Sequence, residues 1–226
     1  MYLSKVTLNG ALSLAEVLLA LDKNNAYASH QFIWKELFHH ASQRQFIYRQ
    51  EIDQRKMPCF YVLSRHEPGN SQVLNVQTKR FVPKLHKGQT LAYQLRVNPT
   101  VCKSDEHGHS KRHDVLMNAK RQYKPRLAPD ELKQKMDEAA QQWICNEARL
   151  ERWGIELPHV PEIEAYTQYK SYKKQRNENR QLIQFSSVDI QGILTVRDPA
   201  RFLAQYVQGF GRAKSMGCGL MLIRGM

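Results

Sequence analysis

The chain has 226 residues, enough for one large or two small domains, and 42% of them are hydrophobic, enough to build packed cores. Lys and Arg outnumber Asp and Glu by 34 to 21, a formal net charge of +13, and this balance favours a polyanionic partner. Cys59, Cys102, Cys145 and Cys218 lie far apart with no Cys-x-x-Cys pair, which argues against a disulfide framework or a zinc knuckle. Met1 to Leu8 lacks the charged head and long apolar stretch of a signal peptide, and no window approaches a membrane span, so a cytoplasmic protein without membrane contact is expected.

Tyr2 to Leu8 reads as a strand closed by Asn9-Gly10. Apolar residues then recur at helical spacing from Leu12 to Leu21 and from Tyr27 to Ala41, with a break at Asp22-Lys23-Asn24-Asn25. Phe46 to Gln50 and Cys59 to Ser64 read as paired strands around the polar Asp53 to Lys56, and Val73 to Val82 adds extended structure. Pro83 to Gly88 is a connector.

Beyond it, Leu91 to Val97 alternates like a strand and Asn98-Pro99 ends it. Asp130 to Trp153 carries Leu132, Met136, Ala139, Ala140, Trp143 and Leu150 near one helical face, with Pro129 suited to its start and Gly154 to its stop. Ile163 to Tyr172 and Leu182 to Val196 flank the polar Lys173 to Asn179, which predicts a hairpin with a long basic tip. Asp198-Pro199 opens a helix through Val207, and Leu220 to Ile223 forms a last strand. This order fits an α+β fold of two tandem ferredoxin-like (RRM-like) βαββαβ domains, 1–84 and 89–226, better than one doubly wound sheet. The aromatic strand signature of an RNA recognition motif is absent, so stacking of bases on the sheet face is not expected.

The segment Gly209 to Leu220 places four glycines in eleven positions around Arg212 and Lys214. It serves either as plain turn chemistry or as a backbone that approaches a phosphate; its spacing matches no nucleotide-binding loop. The densest basic run holds Lys170, Lys173, Lys174, Arg176 and Arg180, and a second patch holds Lys120, Arg121, Lys124 and Arg126. Either is a solvated surface in isolation; interleaved with Tyr123, Tyr169 and Tyr172, together they offer charge and stacking to RNA. The histidines of His107 to His113 invite a metal reading, but a mobile basic loop is the favoured one, and no metal or cofactor is expected.

Tyr27 and His30 stand three apart on the second helical segment, where a phenol and an imidazole can flank one phosphate. Against this, His30 shares its face with Ile33, Trp34, Leu37 and Ala41, the setting of a histidine at a core edge. Lys35 lies well around the helix from His30. No group of paired carboxylates with a lysine marks a two-metal nuclease, so any phosphodiester chemistry is expected to be metal-independent.

Met1-Tyr2-Leu3-Ser4-Lys5-Val6, Tyr93-Gln94-Leu95-Arg96-Val97-Asn98-Pro99, Gln191-Gly192-Ile193-Leu194-Thr195-Val196 and the Gly209 to Leu220 loop, in this order, resemble the CasE family of type I-E CRISPR repeat-processing endoribonucleases. The resemblance spans almost the whole chain; the histidine-bearing insertion from Lys103 to Pro129 departs from it. It implies cleavage of precursor CRISPR RNA at the repeat stem-loop, leaving 2′,3′-cyclic phosphate and 5′-hydroxyl ends, and retention as a subunit of the Cascade complex. It further implies His30 as general acid or base, Tyr27 as the group orienting nucleophile or phosphate, Lys35 as a supporting cation found in part of the family, and Lys170 to Arg180 as the grip on the stem-loop. The alternative is a non-catalytic stem-loop-binding subunit of the same complex.

Overall fold

In the computed structural model, residues 1–9, 26–41, 43, 45–104, 108–174 and 180–226 are described, with backbone alone for 26, 171–174, 180, 181 and 183. The expected helix from Leu12 to Leu21 and the hairpin tip at 175–179 lie outside the described residues.

The alternation at the start of the chain forms β1 (Tyr2–Leu8), and β2 (Phe46–Ile52), β3 (Pro58–Ser64) and β4 (Leu74–Arg80) join it in an antiparallel sheet of order β2-β3-β1-β4. Period-two side-chain placement sends Val6, Phe46, Tyr48, Phe60 and Val62 to one face. There they bury against Ile33 and Leu37 of α1 (Ala26–Leu37). Ile47 and Leu63, pointing the other way, enter the core of the second half.

The sequence led us to expect α1 to continue to Ala41, but it stops at Leu37. The Leu37 carbonyl, which a longer helix would pair with Ala41, accepts instead from Gly69 N at 2.9 Å, and Ala41 N turns back to Phe38 O. The backbone polar groups at this end are thus satisfied by the β3–β4 connection and a local turn in place of another helical turn.

The second half is built on β5 (Thr90–Val97), which pairs with the last strand, β11 (Met221–Gly225), on one side and with β10 (Arg180–Val196) on the other. Both β8 (Ile155–Glu156) and β9 (Glu162–Lys174) pair with the far edge of β10. Between β5 and β8 the chain makes the hairpin β6 (Thr100–Ser104) and β7 (Ser110–Asp114), then α2 (Val115–Tyr123), α3 (Pro129–Ile144) and α4 (Glu147–Trp153); α5 (Pro199–Gln208) follows β10.

Two expectations are corrected here. The helix from Asp130 to Trp153 is two helices, because the Asn146 side chain accepts from Arg149 N at 3.1 Å and caps a new start. Of His107 to His113, expected as a mobile basic loop, His107 lies outside the described residues and Ser110 to His113 form part of the β6–β7 hairpin. Its strand residues Lys103, Ser104, Ser110, Lys111 and Arg112 are exposed and carry no apolar alternation, so ladder hydrogen bonds define it without a sequence signal.

Other helix ends were legible as chemistry. Asp198 Oδ1 accepts from Ala200 N and Arg201 N at 3.0 Å each, with Pro199 in the first turn of α5, and Gly154 ends α4 with φ 71°. Phe202, Tyr206 and Phe210 then pack edge-on into the core with Trp153 and Trp143.

Candidate nucleic-acid interface and catalytic site

Helical spacing places Ser29, His30, Ile33 and Leu37 on the buried face of α1. The imidazole of His30 is 6% exposed and sits among rings: 5.3 Å from Phe46 with planes 22° apart, 5.7 Å from Trp34, 6.4 Å from Tyr48 and 6.3 Å from Tyr27. Tyr27 and His30 are therefore adjacent, as their spacing requires. Lys35 is exposed in the last turn of α1, on a different face from His30.

The glycine-rich loop reaches this place from the far end of the chain. Its 3₁₀ turn, Lys214–Met216, contacts both α1 and β2, and Tyr48 Oη donates to Ser215 O at 3.4 Å. Gly217 packs against the Tyr48 ring and Gly209 against Ile47. Phe210, Cys218 and Leu220 are fully buried, whereas Arg212 is exposed and Lys214 half-buried. The loop's glycines thus act first in close packing between the two halves, and sequence reasoning, which set the loop apart from the His30 helix, missed that the fold brings them together. No local signal carried that, since the partners are Tyr48 and Ser215, 167 residues apart.

The two basic patches also converge. Lys170, at the exposed edge of β9, and Arg121, on α2, line one open groove of about 560 Å³ together with Arg112 and His113 of the β6–β7 hairpin. The groove is anchored by Asp114, which caps α2 by accepting from Met117 N at 2.9 Å and also accepts from Ser186 Oγ. Arg112 and His113 come from the insertion whose RNA contact the sequence left open. Lys120 is half-buried on α2. The side chains of Lys173, Lys174, Arg176 and Arg180 lie outside the described residues; the backbone of β9 and β10 carries the positions of Lys173, Lys174 and Arg180 onto the ribbon that continues from Lys170.

Of the tyrosines considered for stacking, Tyr169 is already stacked on Phe185 across the β9–β10 pair, 4.7 Å apart with planes 9° from parallel. Tyr123 packs onto the core of the second half.

An ionic cluster closes the junction between the sheets. Arg96 on β5 binds Asp189 on β10 through two hydrogen bonds of 2.8 and 2.7 Å, and Arg49 on β2, 4% exposed, pairs with Glu51. Burial alone would loosen the Arg96 proton, but the bonds and charge of Asp189, with Glu51 beside them, outweigh it and strengthen its hold.

Comparison with known proteins matches residues 1–225 to a family described as CRISPR associated protein. The CRISPR system Cascade subunit CasE of Escherichia coli K12 is 30% identical over 98% of both chains, and the CRISPR-associated endoribonuclease Cse3 of Thermus thermophilus is 27% identical over 99% of both. Among solved structures, Cse3 bound to a 19-nucleotide RNA superposes with a TM-score of 0.68 at 27% identity, covering 99% of this chain and 100% of that one. Cas6e from Escherichia coli K-12 gives 0.60 at 25% identity, with both chains fully covered. Motif order, the two-sheet architecture and full-length similarity agree: the chain belongs to the CRISPR-associated CasE/Cse3 family of type I-E systems.

Proposed function

We propose that this protein is the endoribonuclease that cuts precursor CRISPR RNA at the repeat stem-loop and stays with the product as a Cascade subunit. The observation that carries the reading is the adjacency of Tyr27 and His30 on α1, beside a loop that carries Arg212 and Lys214, in a chain similar from end to end to endoribonuclease Cse3. A structure of that enzyme with an RNA representing a pre-cleavage complex, at 25% identity and a TM-score of 0.60, supports the same reading.

The fold reading goes with it. Both sheets have the strand order of a ferredoxin-like unit, β4-β1-β3-β2 in the first and β11-β5-β10 with β8 and β9 in the second, although no helix links β3 to β4. We take 1–84 and 89–226 as the two units, the first carrying His30 and the second the basic ribbon.

In the reaction, a ribose 2′-hydroxyl attacks the adjacent phosphorus while the bond to the 5′-oxygen breaks, leaving a 2′,3′-cyclic phosphate and a 5′-hydroxyl. His30 transfers a proton to or from the reacting oxygens, without help from a metal ion, and contributes about 10²–10⁴-fold. Tyr27 holds the phosphate or nucleophile in line, and Lys35 adds positive potential from the exposed face. RNA bound along Lys170, Lys173, Lys174, Arg176 and Arg180, with Lys120, Arg121, Arg212 and Lys214, supplies the geometry of attack. The work is cytoplasmic, where the precursor is transcribed.

The low exposure of His30, 6%, favours a second reading in which its ring is a core element and the subunit only binds the stem-loop. Incubation with repeat RNA in EDTA, followed by end-group analysis, separates the two. Cyclic phosphate ends from wild type and none from His30→Ala, with equal RNA binding, support the enzyme; a requirement for Mg²⁺ overturns the mechanism.

A further inference from the structure

The Arg96 side chain ties β5 to two other chain segments at once. Its Nε and Nη2 fork onto the two carboxylate oxygens of Asp189, while Nη1 leaves the second sheet and donates to the backbone carbonyl of Gln50 on β2 at 2.5 Å. Gln50 passes the connection on, because its Oε1 accepts from Ser29 Oγ at 2.9 Å. Ser29, 2% exposed, directly precedes His30 on α1.

Asp189 lies on the strand that becomes the basic ribbon. It pairs with Ala165 of β9, where the register shifts, and β10 runs from there back through Phe185 to Arg180. Arg49 Nη2 approaches the same carboxylate at 3.9 Å, and Arg96 Nη2 stands 3.6 Å from Glu51, so the cluster balances two cations with two carboxylates. A planar guanidinium accepts little angular error in a forked bridge, so such a link transmits orientation as well as attraction. From ribbon to helix the links run Asp189, Arg96, Gln50, Ser29.

We propose that Arg96 and Asp189 are positioning residues for cleavage: they set the angle between the ribbon that grips the RNA and the helix that carries His30. The proposal rests on His30 being the catalytic group. RNA bound on the ribbon then meets His30 in register only while this bridge is made, and a displacement of about 1 Å can cost 10²-fold in rate.

The test measures stem-loop Kd, thermal midpoint and single-turnover cleavage rate at saturating RNA for Asp189→Asn, Ser29→Ala, their double variant and Arg96→Lys. Asp189→Asn and Ser29→Ala are each expected to slow cleavage about 10-fold with Kd unchanged, and the double variant to lose less than the product of the two. Arg96→Lys is expected to slow cleavage about as much as Asp189→Asn, since an ammonium cannot fork. Ser29→Ala removes only one hydroxyl and leaves the ion cluster whole, so it decides the matter should Asp189→Asn fail to fold. Wild-type cleavage rates in folded Ser29→Ala, or multiplicative losses in the double variant, overturn the coupling while His30→Ala remains inactive. Normal cleavage by His30→Ala overturns the catalytic reading itself, and the proposal with it.

Discussion

The imidazole of His30 and the ring of Phe46 lie 5.3 Å apart and nearly parallel, and Phe46 is itself stacked on Phe38 at 4.6 Å. The ring of the candidate catalytic residue is thereby backed by a two-ring stack anchored in the first core. Phe46→Ala is expected to cost about 3–5 kcal/mol of stability through the cavity it leaves. Phe46→Leu keeps most of the volume and loses only the ring–ring component, about 0.5–1.5 kcal/mol, yet leaves the imidazole freer to tilt. Denaturant midpoints should therefore separate the two variants widely, while single-turnover cleavage falls in both. Full activity in Phe46→Leu would mean that the stack plays no part in orienting His30.

Convergence of Lys170, Arg121 and Arg112 on one groove makes a second expectation. If RNA phosphates run along it, Lys170→Ala and Arg121→Ala each weaken stem-loop binding, and each lowers the slope of log affinity against log salt by about 1. Cleavage at saturating RNA should fall less than affinity does, because neither cation touches the α1 site and the remaining cations still hold the RNA in place. Fluorescence titrations over a salt series check this; an unaltered slope in both variants removes the groove from the RNA path.

How far the sequence could be read follows from which interactions are local. Alternation located β1 and β5, and extended runs beside polar turns located β2, β3 and β10, within a few residues, and Asp198-Pro199 and Gly154 marked helix ends because capping depends on the residues beside it. The Tyr27/His30 pair was legible because residues three apart on a helix are neighbours. Hidden from it were features fixed across the fold: the end of α1, set by Gly69; the β6–β7 hairpin, with no apolar pattern; and the Arg96 cluster, whose members look like ordinary strand charges. The glycine-rich loop was read as a marker and as a surface, and its contacts with the His30 helix and with Tyr48 join distant segments that no spacing rule connects.

Gly219 gives that loop its most sensitive position. Its φ of +91° is one that side-chain-bearing residues rarely adopt, and a Cβ there would lie 2.7 Å from the Phe210 carbonyl oxygen. The same residue donates its N–H to Arg96 O at 2.7 Å and accepts from Phe210 N, so it cannot move aside without breaking the link between loop and β5. Gly219→Ala is expected to lose about 1–3 kcal/mol, seen as a lowered thermal midpoint, and to disturb the α1 contact of the 3₁₀ turn. Gly225, where an added Cβ would meet nothing within 4 Å and φ is not positive, is the matched control, and Gly225→Ala should leave the midpoint unchanged.

Cys218, two residues from the 3₁₀ turn, supplies a prediction in pH. It is fully buried, and burial pushes its thiol from the ordinary 9.0 up to about 12; Arg96 and Arg49 oppose the shift and Asp189 adds to it. In the unfolded chain the thiol ionises near its ordinary value, so above that pH the unfolded state binds fewer protons than the native one. The stabilisation tied to this group is then complete below pH 9 and is lost as pH rises toward 12, at a slope of up to about 1.4 kcal/mol per pH unit. Tyr93, Tyr206, Cys59 and Cys145 are also raised by burial and contribute in the same direction, so the wild-type curve alone does not isolate Cys218. The difference between wild type and Cys218→Ala does: stability measured by urea unfolding should fall less steeply in the variant over this interval. In parallel, a thiol reagent should modify the exposed Cys102 at once and Cys218 only on unfolding. Parallel stability curves, or rapid labelling of Cys218 in the native protein, would show that the loop opens to water at the junction of the two sheets.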